Sequence, residues 1–380
     1  MFVTGGGILT NNEKRVLDII KSNPYISQKD IGEELDLSRS TVATIVSSLT
    51  KKNYIAGRAY ILNEVDSPIF VIGAMNVDRK FNLEKSIIYK TSNPASSESF
   101  VGGVGRNVAE NLGRLGHDVK MISVAGYDQD FEFIKKSTDA FVDFNYVRQI
   151  QNASTGNYSA IIDSSGEMEV AIADMGIYNS MDIDFIKDYE NILINSKVII
   201  LDLNIPEETV EYVINFAKNN DIFLFVVPVS SPKINRLPND LTGIDYIVVN
   251  QDESEGYFNV KVNSEDDFFS LGSKWINKGV KEVIITRGKK TFLYENYKGE
   301  RYFFTPPLSD NVVDVTGAGD SFTSGIIHGF IKGVSTKDSV EFAMTNSYYT
   351  IQSKNTVRDN LTNENLQKER DNLKERGLIK

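Results

Sequence analysis

The stretch Asp314-Val315-Thr316-Gly317-Ala318-Gly319-Asp320 combines a glycine-rich turn with two carboxylates. From Ser321 to Ile331, apolar residues recur at helical spacing, so the glycines are predicted to lie at the N-terminus of a helix. Unpaired backbone N–H groups and the positive end of the helix dipole make such a terminus an anion site, and glycines let a phosphate approach the backbone closely. The stretch therefore predicts a phosphate cradle formed by Gly317, Ala318 and Gly319.

Asp320 directly follows this cradle. A carboxylate in the first turn of a helix is often only a favourable partner for the helix dipole. Beside a bound phosphate, however, it can accept the proton of an attacking hydroxyl. Phosphoryl transfer depends mainly on positioning and charge neutralisation, so a weak base suffices. The stretch therefore favours phosphoryl transfer with Asp320 as the catalytic base.

Upstream of the cradle, short apolar runs of the buried-strand type alternate with helical patterns. This alternation predicts an α/β fold with a doubly wound, mainly parallel sheet, whose ligands lie beyond the carboxyl ends of the strands. The predicted strands are Ile69 to Ala74, Val119 to Val124, Lys197 to Asp202, Ile222 to Val227, Tyr246 to Asn250 and Val283 to Thr286. The predicted helices include Arg106 to Leu115, Glu207 to Asn219 and Asp266 to Lys278.

Two hairpin-like stretches do not fit this alternation and predict a small β lid. One is Lys85 to Val101, and the other pairs Tyr158 to Ile162 with Met168 to Ala173. The lid strands are thus expected near residues 85–101 and 157–174. The charged helical pattern from Thr362 to Lys380 is predicted to be solvated.

The first 63 residues predict a winged helix-turn-helix domain. Thr10 and Glu13 form a capping box, and Ser27 and Ser38 can cap two further helices. The short Asp36-Leu37 link between those helices sets a helix-turn-helix angle, and the segment from Tyr54 to Leu62 is expected to form a wing. Residues 64–68 are predicted to be a linker, and residues 69–380 the larger domain.

Four residues on the exposed side of the third helix suit a DNA major groove and its flanking phosphates. They are Arg39, Ser40, Thr41 and Thr44. The domain holds eight Lys or Arg and six Asp or Glu, against 33 and 46 in the remainder of the chain. Because this excess of positive charge is small, a helical module for dimerisation or docking is the alternative.

Composition excludes several classes of site. The 380-residue chain has no cysteine, which removes disulfides, thiolate zinc sites and thiol nucleophiles and fits a reducing cytoplasm. No apolar run approaches the ~18 residues of a membrane-spanning helix, so no membrane partner is expected. The two histidines, His117 and His328, lie in no motif and are expected to be structural.

Together with the cradle, two motifs make the chain resemble the ribokinase-like (PfkB) carbohydrate kinases from about residue 69 to 355: Asn76-x-Asp78, and Gly102-Gly103-x-x-x-Asn107 before a helix. The resemblance implies ATP, Mg²⁺, a β lid and transfer of the γ-phosphoryl group to a sugar hydroxyl, with Asp320 as base. Monovalent cation activation, most commonly by K⁺, is also implied.

The resemblance implies roles for further residues. The residues implied to contact the substrate are Asn76, Asp78, Gly102, Gly103, Asn107 and Asn204. Those implied to contact the nucleotide are Asn250, Thr286, Gly288 and Asn346. Those implied to bind metal ions are Glu253, Asp314 and Thr316. One departure is that Thr291 replaces the last glycine of the usual Thr-x-Gly-x-x-Gly element.

Within the family, GGVGRNVAENLGRLG and the lid sequence SSGEMEVAIADM are most similar to pseudouridine kinases. That similarity implies phosphorylation of the 5′-hydroxyl of pseudouridine, with Thr155, Asn157 and Asp174 as candidates for reading the base. Two alternatives stay open: a kinase for another nucleoside or ribose, and a ligand-sensing transcription regulator without turnover. Lids in this family often pair across a dimer, and winged helices bind palindromic DNA as dimers, so a homodimer is expected.

Overall fold

The computed structural model describes residues 9–52, 54–55 and 67–379. The N-terminal part contains the helices α1 Asn11–Ser22, α2 Gln28–Leu35 and α3 Arg39–Lys51. Thr10 and Glu13 form the predicted capping box, and the side chains of Ser27 and Ser38 cap α2 and α3. Most of the predicted wing and of the predicted linker falls outside the described residues.

Strands and helices alternate along most of residues 67–379. The strands are β1 Ile69–Ile72, β2 Asn76–Leu83, β3 Ala95–Gly102, β4 Val119–Gly126, β5 Val147–Ile150, β6 Asn157–Ile162, β7 Met168–Asp174, β8 Val198–Asp202, β9 Phe223–Val227, β10 Tyr246–Asn250, β11 Glu282–Thr286, β12 Phe292–Asn296 and β13 Arg301–Phe304. The helices are α4 Val104–Arg114, α5 Gln129–Thr138, α6 Ile183–Lys187, α7 Glu190–Leu193, α8 Glu207–Asn219, α9 Gln251–Phe258, α10 Glu265–Asn277, α11 Ala318–Ile331, α12 Thr336–Thr350 and α13 Asn363–Glu375.

Within residues 67–379, a nine-stranded sheet has the order β13-β12-β11-β10-β9-β8-β1-β4-β5. The strands from β11 to β5 pair in parallel, while β12 and β13 are antiparallel. Two apolar clusters use alternating residues of the central strands, so the sheet is buried on both faces. All six predicted strands and the three predicted helices are confirmed, with shifts of a few residues at their ends.

A second sheet of the described residues has the order β3-β2-β6-β7 and forms the predicted lid. The lid begins earlier in the sequence than predicted, because its first strand, β2, begins at Asn76 and pairs with β3 along its whole length. The segment from Lys85 to Pro94, predicted to be strand, is the loop that connects them. Asp78 therefore lies inside a lid strand and not at the end of a core strand.

The predicted C-terminal helix forms as α13 and exposes most of its charged residues, but it is not solvated on every side. Leu366 and Leu373 of α13 are completely buried, and Leu373 joins the core cluster that contains α12. The two histidines contact each other, with 2.8 Å between Nε2 of His117 and Nδ1 of His328. No helix among the described residues has both the length and the apolar character needed to cross a bilayer.

Candidate active site

Asp320 lies in the first turn of α11, where the sequence predicts the catalytic base. Its Oδ2 accepts a hydrogen bond from Nδ2 of Asn107 in α4 at 2.6 Å. Burial and the carboxylates of Asp202 and Asp78 raise the pKa of Asp320 to about 6, although Asn107 and the nearby charge of Arg106 oppose the rise. Asp320 is therefore a carboxylate with enhanced basicity that is still ionised near neutral pH.

The predicted cradle adopts the geometry that its glycines allow. Gly317 has a φ of 79°, and a Cβ there would overlap the Thr356 carbonyl oxygen, so only glycine fits. Gly319 is exposed and its N–H lies in the first turn, where it has no intrahelical acceptor. The prediction for Ala318 needs correction, since its N–H donates to the carbonyl of Val315 at 3.2 Å.

The acceptor side of the site is built by the start of the lid. Nδ2 of Asn76 donates to Oδ1 of Asp78 at 2.5 Å. A Cβ on Gly102 would overlap Oδ2 of Asp78, and one on Gly103, whose φ is 94°, would lie 2.5 Å from Cα of Met75. The missing Cβ at Gly102 therefore leaves room for the Asp78 carboxylate, and the missing Cβ at Gly103 lets the start of α4 pack against the backbone of Met75. Burial raises the pKa of Asp78, although the hydrogen bond from Asn76 opposes the rise.

Arg106 is a buried residue of the site that the sequence did not reveal. Its guanidinium donates to the carbonyls of Val101 and Gly102, to Glu110 and to Oδ1 of Asn107. The oxygen of Asn107 is thereby occupied, and its amide nitrogen is turned toward Asp320. Asn107, predicted to offer a donor and an acceptor to the sugar, instead connects a buried cation to the base.

Asp202 is a second buried group that organises the site. It ends β8 and accepts hydrogen bonds from the N–H groups of Ala74 at 2.8 Å and Gly105 at 3.0 Å. It also accepts the N–H of Asn204 at 2.8 Å. Asp202 thus fixes the two loops that carry the acceptor-binding residues, and Asn204 lies beside them with little exposed surface.

Three predicted base-reading residues are placed elsewhere by the structure. The hydroxyl of Thr155 donates to Asp128 and accepts from the N–H of Gly126, and the residue is fully buried, so it holds a loop and does not face a ligand. Asn157 pairs in register with Val77 and with Asp174. Because neighbouring residues of a strand point to opposite faces, Asn157 and Asp174 lie on the lid face opposite Asp78.

Tyr158 of β6 shares the lid face of Asp78, since the two are paired in register. Its side chain is half-buried. The pattern of the sequence could not single it out, because the register between β2 and β6 depends on strand pairing across a long stretch of chain.

Three of the four residues predicted to bind nucleotide, Asn250, Thr286 and Gly288, lie at or just beyond the carboxyl ends of β10 and β11, whose terminal residues Asn250 and Thr286 are paired. Asn250 and Glu253 form a capping box at the start of α9, with both hydrogen bonds at 2.8 Å. Gly288 has a φ of 63° and forms an open turn, so the replacement at Thr291 leaves this turn intact.

Asn346 does not lie at an open surface. Its amide donates to Oδ1 of Asn111 and to the carbonyl of Ser321, each at 2.9 Å, and accepts from Arg358. The residue is fully buried, so its side chain connects α4, α11 and α12 and does not face a nucleotide. This predicted nucleotide contact is therefore corrected to a structural role.

Comparison with known proteins identifies the family of the larger domain. The model described as pfkB family carbohydrate kinase matches residues 67–363. The chain belongs to this family. A second model, described as winged helix-turn-helix DNA-binding, matches residues 9–56, the part that contains α1 to α3.

Two curated relatives of this pfkB-family chain come from Escherichia coli (strain K12). The sugar kinase YeiI is 29% identical over 337 residues, covering 88% of this chain and 92% of the relative. A match of that length has to include part of the N-terminal domain. Pseudouridine kinase is 29% identical over 278 residues, covering 72% of this chain and 87% of the relative.

Solved structures agree with the fold. A carbohydrate kinase from Agrobacterium tumefaciens has a TM-score of 0.70 at 26% identity, covering 82% of this chain and 98% of that chain. Arabidopsis thaliana ribokinase complexed with ribose and ATP has a TM-score of 0.69 at 20% identity, covering 80% of this chain and 98% of that chain. The second likeness concerns the fold alone.

Glu253 fits a role beside hydrated Mg²⁺ in this pfkB-family chain. One of its oxygens serves the helix cap. Burial, together with the charges of Asp252 and Asp320, raises the pKa of Glu253, although the N–H of Asn250 opposes the rise. Mg²⁺ in kinases is held largely by phosphate oxygens and water with one or two carboxylates, so a single carboxylate suffices.

Asp314, one of the residues predicted to hold a monovalent cation, is engaged by protein groups. Oδ1 of Asp314 accepts the N–H of Thr316 at 2.8 Å and its hydroxyl at 2.7 Å. Oδ2 accepts Nζ of Lys80 at 3.0 Å. Burial would raise the pKa of Asp314, but Thr316 and Lys80 together lower it. As arranged, the negative charge of Asp314 is paired with the ammonium group of Lys80.

Proposed function

We propose that this pfkB-family chain is an ATP-dependent kinase that phosphorylates the 5′-hydroxyl of pseudouridine. The proposal rests on the contact between Asp320 and Asn107, because it places a basic carboxylate between the cradle and the acceptor-binding surface. ATP with Mg²⁺ would supply the phosphoryl group and shield its charge, with Glu253 as the carboxylate beside the metal.

Different residues of the chain bind the acceptor, accept its proton and stabilise the transferred phosphoryl group. Asp78, held by Asn76, accepts hydrogen bonds from two vicinal ribose hydroxyls, and Gly102 and Gly103 let the sugar lie against the backbone. Asp320 then accepts the proton of the 5′-hydroxyl as that oxygen attacks the phosphorus atom. Backbone N–H groups at Gly317 and Gly319 stabilise the charge that develops on the transferred group.

Pseudouridine is favoured as acceptor by the sequence similarity to pseudouridine kinases. Pseudouridine and uridine differ in the atom that forms the glycosidic bond and in one extra N–H on the pseudouridine base. A site built to bind that N–H rejects the analogue that lacks it, since a buried polar group would be left unpaired. Tyr158 is placed on the same lid face as Asp78 and is the candidate of this chain for contact with the base.

The test is an acceptor panel of pseudouridine, uridine, other ribonucleosides and free ribose, each with ATP and Mg²⁺. We expect kcat/KM for pseudouridine to exceed that for uridine by at least about tenfold, a difference that one hydrogen bond can provide. A preference for uridine, another nucleoside or ribose would contradict the assignment of the acceptor and leave the kinase assignment standing. Transfer to none of them would contradict both.

A further inference from the structure

A lid residue reaches across the acceptor cleft to the loop that precedes the cradle. Lys80 lies two residues after Asp78 on β2, and the period of a strand places both on the same face. Its Nζ lies 3.0 Å from Oδ2 of Asp314, with the Lys80 side chain 39% exposed and that of Asp314 27% exposed. Lys80 therefore lies on the substrate side of the lid and contacts the phosphate-binding side of the site.

Both carboxylate oxygens of Asp314 accept hydrogen bonds from protein groups in this arrangement. Its second carboxylate oxygen accepts both the N–H and the hydroxyl of Thr316. The backbone around it is also engaged, because the N–H groups of Val313 and Asp314 both donate to the carbonyl of Ile351, at 2.8 Å and 3.3 Å. The hydrogen bonds of the carboxylate thus shape the turn that leads into Gly317, and its charge is balanced by an ammonium group.

A balancing charge is needed there for a physical reason. Asp314 lies three residues before the cradle, so an uncompensated carboxylate would repel a triphosphate approaching it. A bound monovalent cation and a lysine ammonium can both remove this repulsion. They differ in that the ammonium is attached to the lid, so its presence does not depend on the ionic composition of the solution.

We propose that Lys80 is the built-in cation of this site: it neutralises Asp314 and positions the cradle loop, so that phosphoryl transfer does not require K⁺. This inference rests on the proposed kinase function. Lys80 acts through Asp314 and is therefore a positioning residue. The response of the enzyme to K⁺ distinguishes this role from a merely structural one.

The experiment measures initial rates with the best acceptor of the panel, ATP and Mg²⁺, with either K⁺ or tetramethylammonium as the added cation. The salt is held at about 100 mM in both, which keeps the screening length near ~10 Å. We expect the wild-type rates in the two salts to agree within about twofold. For Lys80→Met, we expect the rate in tetramethylammonium to fall at least about tenfold, as for loss of a group that organises an anion site, and to recover in K⁺. Lys80→Arg should behave like the wild type.

The matched control is Arg79→Met. Arg79 is the neighbouring cation on the opposite face of β2, where it pairs with Asp130 at 2.5 Å. Its replacement should create no K⁺ dependence. The proposal is overturned if the wild type is strongly activated by K⁺, which needs no variant to observe. It is also overturned if Lys80→Met is insensitive to K⁺, whether active or inactive.

Failure of the proposed function would be seen separately. If no acceptor is phosphorylated in either salt, ADP binding to the wild type and to Lys80→Met is measured by calorimetry in the same two salts. We then expect equal wild-type affinities in both salts and a K⁺-dependent affinity only for the variant. K⁺-dependent ADP binding by the wild type would overturn the role of Lys80.

Discussion

Asp320 can act as a base only when it is ionised, and its surroundings determine the pH at which this occurs. Because burial raises its pKa to about 6, the fraction of enzyme with an ionised base falls as the pH drops below that value. We therefore expect kcat/KM for the acceptor to decrease tenfold per pH unit well below about pH 6 and to be level above it. A profile of kcat/KM from about pH 5 to 8 measures this, and a flat profile through pH 6 would contradict the role of Asp320.

The residues proposed to bind the acceptor and to accept its proton were largely predictable. Asp320, Asp78 and Gly102 carry their function in residue type and local position, and the structure brings them to one cleft. Arg106 and Lys80 were not predictable, because their roles depend on partners that tertiary structure supplies. The usable signals were an arginine in the first turn of α4 with Glu110 four residues later, and a lysine two residues after Asp78 on one strand.

The cradle is an element whose geometry depends on one glycine. Gly317→Ala would force a left-handed φ on alanine and bring its Cβ against the Thr356 carbonyl, so the turn has to move. We expect kcat to fall about a hundredfold or more, as when an oxyanion donor is lost, with the KM for the acceptor little changed. Steady-state kinetics test this.

The control for that substitution is Gly176→Ala. Gly176 begins a short 3₁₀ helix away from the cradle, and a Cβ there would contact nothing within 4 Å. Its activity should match the wild type. If Gly317→Ala kept the wild-type kcat, the turn would not be part of the catalytic machinery.

Elements could be predicted wherever their pattern is local. Buried runs of Val and Ile identify β8 and β10, and serine caps identify the starts of α2 and α3. The lid could be predicted to exist, but its boundaries and register could not, since β2 is mostly polar and half-buried and pairs with strands distant in sequence. This is why the sequence suggests Asn157 and Asp174 as base-reading candidates although both lie on the lid face opposite Asp78.

The whole molecule joins a winged helix-turn-helix domain to a kinase domain with its own core. The apolar cluster of α1 to α3 is separate from the clusters that flank the large sheet. Because of this separation, a chain starting at residue 67 is expected to keep kcat/KM within about twofold of the full chain, as an independently folded domain should. Loss of that activity would show that the N-terminal domain supports the kinase domain.

The same truncation tests DNA binding. Arg39, Ser40, Thr41 and Thr44 are all exposed on α3, as contact with a DNA groove requires. We expect the full chain to bind duplex DNA selected from a random library and the truncated chain to have no measurable affinity, as read by fluorescence anisotropy. Equal binding by the two chains would contradict the assignment. The homodimer stays a prediction.

The proposed kinase function depends above all on one step, in which Asp320 accepts the proton of a nucleoside hydroxyl while the neighbouring cradle holds the transferred phosphoryl group. The decisive experiment follows labelled γ-phosphate from ATP to pseudouridine with the wild type and Asp320→Asn, while calorimetry monitors nucleoside binding. We expect the wild type to form labelled pseudouridine 5′-phosphate, and the variant to bind the nucleoside but lose at least about a hundredfold in transfer rate. Transfer by Asp320→Asn at the wild-type rate would show that this carboxylate is not the base.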